Sequence, residues 1–314
     1  MRFLIAGSGA IGCTYGAMLQ KAGHDVRFLA RGRTLEALRT RGLHIDRRDA
    51  EHIRLDTVVA SDDAAELAKD GPADVVVMAV KTWQVRGVSE QVSPAVGDAT
   101  VFLPLQNGVE APEHIAAVHG EAKALGGSSR VICAIREPGV IDQDPFIQEI
   151  TFGELDNRVT DRVRAIEGAL REAGVTPVVP EHTLRSMWEK FVFISTISGL
   201  GAVTREPVGV FRSVPETREL LVRAIAEGAA AGRGRGVPLD PGYEDRVVRF
   251  IDTTPADMTL SMQRDIMAGR PSELEAQSGA VVRIGREVGV ETPVHGFLYA
   301  ALLPMERAAR GETA

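Results

Sequence analysis

The strongest constraint on the fold is in the first two dozen residues. An apolar run of strand length, RFLIAG, passes into Gly7-Ser8-Gly9-Ala10-Ile11-Gly12, and then into IGCTYGAMLQKAG, whose small and apolar residues recur at helical spacing. A G-x-G-x-x-G between a strand and a helix is the context that a dinucleotide cradle requires. Gly7 permits the tight turn, Gly9 lets the backbone approach a pyrophosphate, and Gly12 allows close packing of helix on strand. The phosphate charge then faces the helix N-terminus. The helix is expected to stop at Gly23, a C′ glycine.

A fold that holds NAD usually places an acid at the end of the second strand, where it binds the ribose 2′-hydroxyl. Here DVRFLA ends in Leu29-Ala30-Arg31-Gly32-Arg33, and Asp25 stands at the opposite end of that strand. A 2′-phosphate repels a carboxylate and matches the donor fork of a guanidinium. The expected cofactor is therefore NADP(H), held by Arg31 first and Arg33 second. The competing reading makes both arginines solvated loop charges.

After the glycines, short β-rich runs alternate with helical stretches, the pattern of a mostly parallel sheet covered on both faces. ADVVVMAV is a continuous apolar run that fits a strand buried on both sides. TVFLPLQNG is read as the next strand, ending on Asn107-Gly108, and KALGGSSRVICAIREPGVIDQ with QEITFGEL as a hairpin closing the sheet. Ligands of doubly wound sheets lie beyond the carboxyl ends of strands. Lys81, Gln84 and Asn107 stand at such ends, although Lys81 also suits a snorkelling surface lysine.

From about Glu181 the pattern becomes helical, so a boundary is expected near residue 180. This divides the chain into a Rossmann-type, doubly wound, mostly parallel α/β domain (1–180) and an all-helical domain (181–314). HTLRSMWEKFVFISTISGLGAVT is too apolar all round for a surface helix. Ser272 and Glu275 are spaced as a capping box, which would start the last-but-one helix there with Glu273 in its first turn. The final GETA is expected to fray.

Lys and Arg total 36 against 43 Asp and Glu, a net charge of −7, with no basic run to suggest nucleic acid. No apolar window reaches the roughly 18 residues of a membrane span, and the N-terminal run is too short for an export signal. A cytoplasmic protein with a small-molecule partner is expected. The two cysteines, Cys13 and Cys133, have no CxxC partner and read as small buried apolar residues. The seven histidines show no paired spacing, so no metal site is nominated and most are expected at the surface. Dimerisation through the helical domain would suit its excess of apolar surface.

In their order, GxGAIG, RG after the second strand, VKTWQ, PLQNG, a W-x-K helix, LSMQRD and GRPSELE resemble the ketopantoate reductase family over nearly the whole chain. The resemblance implies NADPH-dependent reduction of 2-dehydropantoate to pantoate on the cytoplasmic route to pantothenate and coenzyme A. It places the catalytic lysine on Lys190, the catalytic-site glutamate on Glu273 and a substrate-holding serine on Ser261. It matches Lys81 and Asn107 to positions near the nicotinamide and substrate, and Gln84 to a cofactor-side glutamine. The family's asparagines one and two turns beyond the lysine read Ile194 and Ser198, of which Ser198 keeps a polar group for substrate. Two further asparagine positions read Val208 and Met258. The chemistry suits these residue types, because reduction of a ketone leaves negative charge on oxygen and a cation or acid must stand there. The substrate pocket is expected to be more apolar than the family's. That leaves open another branched 2-keto acid as substrate, or an NADP-binding protein that does not catalyse.

Overall fold

The structure is a computed structural model that describes residues 1–312. Contacts divide the chain into two compact units, one of residues 1–106 with 110–183, the other of residues 107–109 with Leu184 onward.

The first unit runs β1 (Arg2–Ala6), α1 (Ala10–Lys21), β2 (Asp25–Leu29), α2 (Gly32–Arg41), β3 (Leu43–Arg47), β4 (Ile53–Leu55), β5 (Val59–Ser61), α3 (Ala64–Leu67), β6 (Ala73–Met78), α4 (Val85–Gln91), β7 (Val96–Pro104), α5 (Ala111–His119), β8 (Gly126–Glu137), β9 (Val140–Gly153), α6 (Asp161–Glu172) and β10 (Thr176–Val178). Five strands make a wholly parallel sheet in the order β5-β2-β1-β6-β7. Alternate side chains serve its two faces. Phe3, Ile5, Val75, Val77 and Leu103 enter one core, and Leu4, Ala6, Val76, Met78 and Phe102 enter another with Val85, Ala111 and Ile115. This two-sided burial is why ADVVVMAV carries no polar alternation. Helix α1 ends in a Schellman arrangement, with Gly23 N–H on the Gln20 carbonyl and His24 N–H on that of Leu19.

The hairpin forms, with Gly139 at φ +82° in its turn, but it does not close the parallel sheet. Instead β9 pairs in parallel with β3 and β10, and β4 extends β3, giving a second sheet. The cause lies in α1, whose residues 12–19 are all buried and therefore need a layer on the side away from the parallel sheet. Ile45, Ile141, Ile150 and Phe152 supply it, in one core with Cys13, Tyr15 and Leu19. The Tyr15 hydroxyl donates to the Glu149 carbonyl at 3.0 Å across that layer. Cys13 is buried and Cys133 half-buried, and burial first of all pushes their thiols up to about 12 and about 11. Strand β7 stops at Pro104, short of Asn107-Gly108, although Leu105 N–H still reaches the Met78 carbonyl at 3.1 Å.

The second unit is helical: α7 (Thr183–Thr204, whose first residue groups with the first unit), α8 (Val208–Phe211), α9 (Pro215–Gly234), α10 (Tyr243–Thr253), α11 (Ser261–Met267), α12 (Ser278–Val288) and α13 (Pro293–Arg310). Met187, Trp188, Phe191, Val192, Ile197 and Leu200 of α7 enter one core with Leu221 and Ile225 of α9 and with Leu298 of α13. A Cβ on Gly228 or Gly232 of α9 would come to 3.2 Å from Val192 or 2.8 Å from Trp188, so these two glycines set how closely α9 approaches α7.

Two expectations fail, one in this unit and one across the whole chain. Helix α12 starts at Ser278, six residues after the expected cap, and the expected capping box is absent. The Ser272 hydroxyl donates to Glu306 of α13 at 2.5 Å and accepts from Leu274 N–H at 3.2 Å. A carboxylate from a distant helix has taken the hydroxyl that the local motif needs. The histidines are not mainly at the surface: only His52 is exposed, and His295 is fully buried with Nε2 donating to the Ala224 carbonyl at 3.1 Å. Helix α13 ends at Arg310, and the Thr313-Ala314 part of the expected frayed tail lies outside the described residues. Among the described residues no helix is long and apolar enough to cross a membrane.

Candidate functional site

In the first unit the glycine loop joins β1 to α1. Gly7 has φ +109°, and a Cβ there would sit 2.6 Å from the Val80 side chain and 2.9 Å from the Ala79 carbonyl carbon. Both the conformation and the space require glycine. A Cβ on Gly12 would come within 2.0 Å of the Gly7 carbonyl oxygen, whereas one on Gly9 would meet nothing within 4 Å. Gly12 is thus bound by packing, and Gly9 leaves an open approach to the backbone. The Ser8 hydroxyl donates to the Leu29 carbonyl at 3.0 Å and ties the loop to the end of β2. The first rung of the α1 ladder is Cys13 N–H to the Gly9 carbonyl at 2.9 Å, so the amides of half-buried Ala10 and Ile11, and of Gly12, precede it.

Arg31 is the N-cap residue of α2, and Arg33 lies in the first turn, so neither is in an irregular loop. Both are exposed and, among the described residues, neither guanidinium makes a hydrogen bond or ion pair. Asp25 is engaged elsewhere, with Arg2 at 2.7 Å and Arg27 at 3.1 Å. Burial would raise its carboxyl, and the two guanidiniums overcome this and hold it below the usual carboxylate range.

Lys81 and Gln84 follow β6 in one short turn. Lys81 N–H donates to Gln84 Oε1 at 3.3 Å, Gln84 N–H donates to the Lys81 carbonyl at 2.9 Å, and Lys81 Nζ lies 5.9 Å from the centre of the half-exposed Trp83 ring. Gln106, which sequence reasoning passed over, is buried and donates from Nε2 to the Met78 and Val80 carbonyls at 2.8 and 2.9 Å. It fixes the end of β6 from the next strand exit. Its place directly before Asn107 was the available signal.

In the second unit Lys190, Ile194 and Ser198 fall at four-residue intervals on α7 and share one stripe. Lys190 is half-buried, while Ile194 and Ser198 are buried. Ile194 stays outside the apolar core that takes Met187, Trp188, Phe191, Val192, Ile197 and Leu200 of this helix, and the Ser198 hydroxyl makes no hydrogen bond among the described residues. Ser261 is the first residue of α11, half-buried, and its hydroxyl is unpartnered in the same sense. Asn107 clusters with this unit and donates from Nδ2 to Oε2 of buried Glu273 at 3.3 Å. Val208 N–H donates to the Met258 carbonyl at 3.0 Å; the Val208 side chain is in the core and Met258 packs against it. Of the four positions flagged as departures, two therefore serve packing, and Ile194 and Ser198 share the stripe of Lys190.

Two family descriptions match the chain: "Ketopantoate reductase PanE/ApbA" over residues 3–157 and "Ketopantoate reductase PanE/ApbA C terminal" over residues 183–306. The chain belongs to the ketopantoate reductase family. It is 30% identical to a 2-dehydropantoate 2-reductase of Nostoc sp. over 96% of this chain and 94% of that one. It is 28% identical to YkpB of Bacillus subtilis, described as an uncharacterized oxidoreductase, over 96% and 98% of the two chains. Among solved structures it is similar to the 2-dehydropantoate 2-reductase of Geobacter metallireducens, with a TM-score of 0.87, 29% identity and coverage of 97% and 99%. The protein is accordingly an oxidoreductase of this family, with its Rossmann-type sheet and helical C-terminal region.

Proposed function

We propose that the protein reduces the ketone of 2-dehydropantoate to pantoate with NADPH, in the cytoplasm, as a step toward pantothenate and coenzyme A. The observation that carries the reading is Glu273, a buried carboxylate held by the Asn107 amide in the unit where Lys190 stands half-buried on α7.

The first unit fits the cofactor. The open side of Gly9 and the amides of Ala10, Ile11 and Gly12 suit a pyrophosphate, with Gly7 and Ser8 shaping the loop. Arg31 offers an exposed guanidinium without a protein partner, no acid stands beside it at the end of β2, and Lys81 and Gln84 complete the binding set proposed for this unit. NADPH, when bound, supplies the hydride that reduces the ketone carbon. The Lys190 ammonium donates a hydrogen bond to the ketone oxygen, stabilises the charge that grows there and passes a proton from Nζ to it. Glu273 holds the Asn107 amide and takes part in the polar group that orients substrate. Ser261 and Ser198 supply hydroxyls for its carboxylate or hydroxyl groups.

A second reading, reduction of another branched 2-keto acid, is favoured by Ile194, which can offer no hydrogen bond to a substrate hydroxyl on the Lys190 stripe. Steady-state kinetics with NADPH separate the two. A kcat/KM for 2-dehydropantoate above that for 3-methyl-2-oxobutanoate supports the first, and the reverse order supports the second. No turnover of any 2-keto acid at millimolar concentration would point to a non-catalytic NADP-binding protein.

A further inference from the structure

Glu273 lies in a stretch without regular secondary structure between α11 and α12, at a bend just before the turn of residues 274–277. Such a stretch loses about 1–2 kcal/mol of backbone entropy per residue when fixed, so a carboxylate on it is placed only as well as its neighbours are held. The residue before it, Ser272, is fully buried and has every polar group engaged by two residues of α13. Its N–H donates to both oxygens of Glu306 at 3.0 and 3.1 Å, and its hydroxyl donates to Glu306 Oε2 at 2.5 Å. Its carbonyl accepts from Arg310 Nη2 at 3.1 Å. Glu306 and Arg310 stand four residues apart on the helix and are joined by Arg310 Nε donating to Glu306 Oε1 at 2.7 Å. On the other side of Glu273, Leu274 is fully buried against Leu302 of the same helix.

We infer that Glu306 and Arg310 are positioning residues for Glu273. Together they clamp Ser272 to α13 and so fix the carboxylate one residue on. The geometry suits that task. Glu306 is almost fully buried, and a buried carboxylate is tolerated only when paired and hydrogen-bonded. Arg310 cancels its charge, so the clamp adds no net charge beside Glu273. A bidentate carboxylate and a guanidinium working on one peptide unit hold it in orientation as well as in place. This inference rests on the proposed role of Glu273 in reduction.

The test uses the full chain with Ser272→Ala, Arg310→Met, Arg310→Lys and Glu306→Gln, and with Glu273→Gln as reference. Two quantities are read: hydrogen exchange of the amides in residues 272–277 against those of α7, and kcat with KM for 2-dehydropantoate and for NADPH. In Ser272→Ala and Arg310→Met the 272–277 amides should exchange at least about tenfold faster while α7 is unchanged. The kcat should fall about tenfold or more with KM for NADPH unchanged, because small misplacements of a reacting group are costly. Arg310→Lys should recover part of the loss, and Ser272→Ala added to Glu273→Gln should cost nothing further. Unchanged exchange, or unchanged kcat in these variants while Glu273→Gln is impaired, would overturn the positioning role. So would a loss in which α7 exchange speeds up as much and NADPH binding weakens with it. Unchanged turnover in Glu273→Gln would instead overturn the reading of Glu273 itself, and the positioning role with it.

Discussion

The glycine loop of the first unit occupies six consecutive residues, whereas the polar group around Glu273 draws on Asn107, Ser272, Glu306 and Arg310, the first of them 166 positions away. The two regions teach different things about how a chain stores a site. A phosphate cradle is made of backbone, so what it demands of side chains is their absence, and glycines at fixed offsets record that demand locally. A site for charge on a ketone oxygen is made of side chains, which can come from any helix that packs nearby.

The sharpest way to separate the regions is Lys190→Ala. Alanine keeps the α7 backbone helical, so the variant should fold and bind NADPH as before while kcat falls by about 10²–10³, or about 2.7–4 kcal/mol of transition-state stabilisation. Stopped-flow turnover at saturating NADPH, with cofactor binding followed by fluorescence, measures both. An unchanged kcat would remove Lys190 from the chemistry.

The next effect concerns stability and belongs to the second unit alone. Burial, the larger influence, lowers the pKa of His295 from 6.5 to about 4 against the opposing hydrogen bond to Ala224. The folded state thus binds fewer protons than the unfolded chain across that window. Stability is full above about 6.5 and declines as pH falls toward about 4, by about 3 kcal/mol in total for this group. The two tryptophans divide between the units, Trp83 in the first and buried Trp188 in the second. In a Trp83→Phe background, the urea midpoint reported by Trp188 should drop over this range. His295→Gln, whose amide can still donate to the Ala224 carbonyl, should flatten the dependence. A midpoint equally steep in His295→Gln would assign the effect to other groups.

How far the sequence discloses the fold follows the same division. The order of strands and helices in the first unit is legible because each βα step has its own periodicity and turn. The pairing of the β8–β9 hairpin is not, because alternation shows that a strand has an apolar face without showing which layer that face will cover. That α1 is buried on all sides was visible in its run of small and apolar residues, and it was the hint that a second sheet had to exist. At Ser272 the local pattern was complete and still misleading: a capping box stabilises a helix start by about 0.5–2 kcal/mol, and the hydrogen bonds that Ser272 donates to Glu306 and accepts from Arg310 outweigh it. The i, i+4 spacing of those two residues in MERAAR was readable, but only as an exposed helix pair.

Within the glycine motif Gly12 and Gly9 are predicted to differ. Gly12→Ala forces a Cβ to within 2.0 Å of the Gly7 carbonyl oxygen, so the backbone must shift and stability should fall by about 1–3 kcal/mol in urea unfolding. Gly9→Ala meets no protein atom and should leave stability within about 0.5 kcal/mol while raising KM for NADPH. If both variants lost stability alike, the open side of Gly9 would not be the approach for a phosphate.

Arg31→Asp carries the smallest effect and tests the most specific claim. Because Arg31 is exposed, solvent screens its pairing with a 2′-phosphate, and the loss belongs at the low end for a charge-assisted contact, about 1.4 kcal/mol or tenfold in KM for NADPH. The new carboxylate at the end of β2 is also the group that suits a free ribose 2′-hydroxyl, so KM for NADH should hold or fall. The ratio of the two is the decisive reading, since a change in the loop itself would move both together. A ratio that stays constant would return Arg31 to an ordinary solvated charge. It would leave the absence of an acid after Leu29 as a gap in the motif, without bearing on which nicotinamide cofactor the loop prefers.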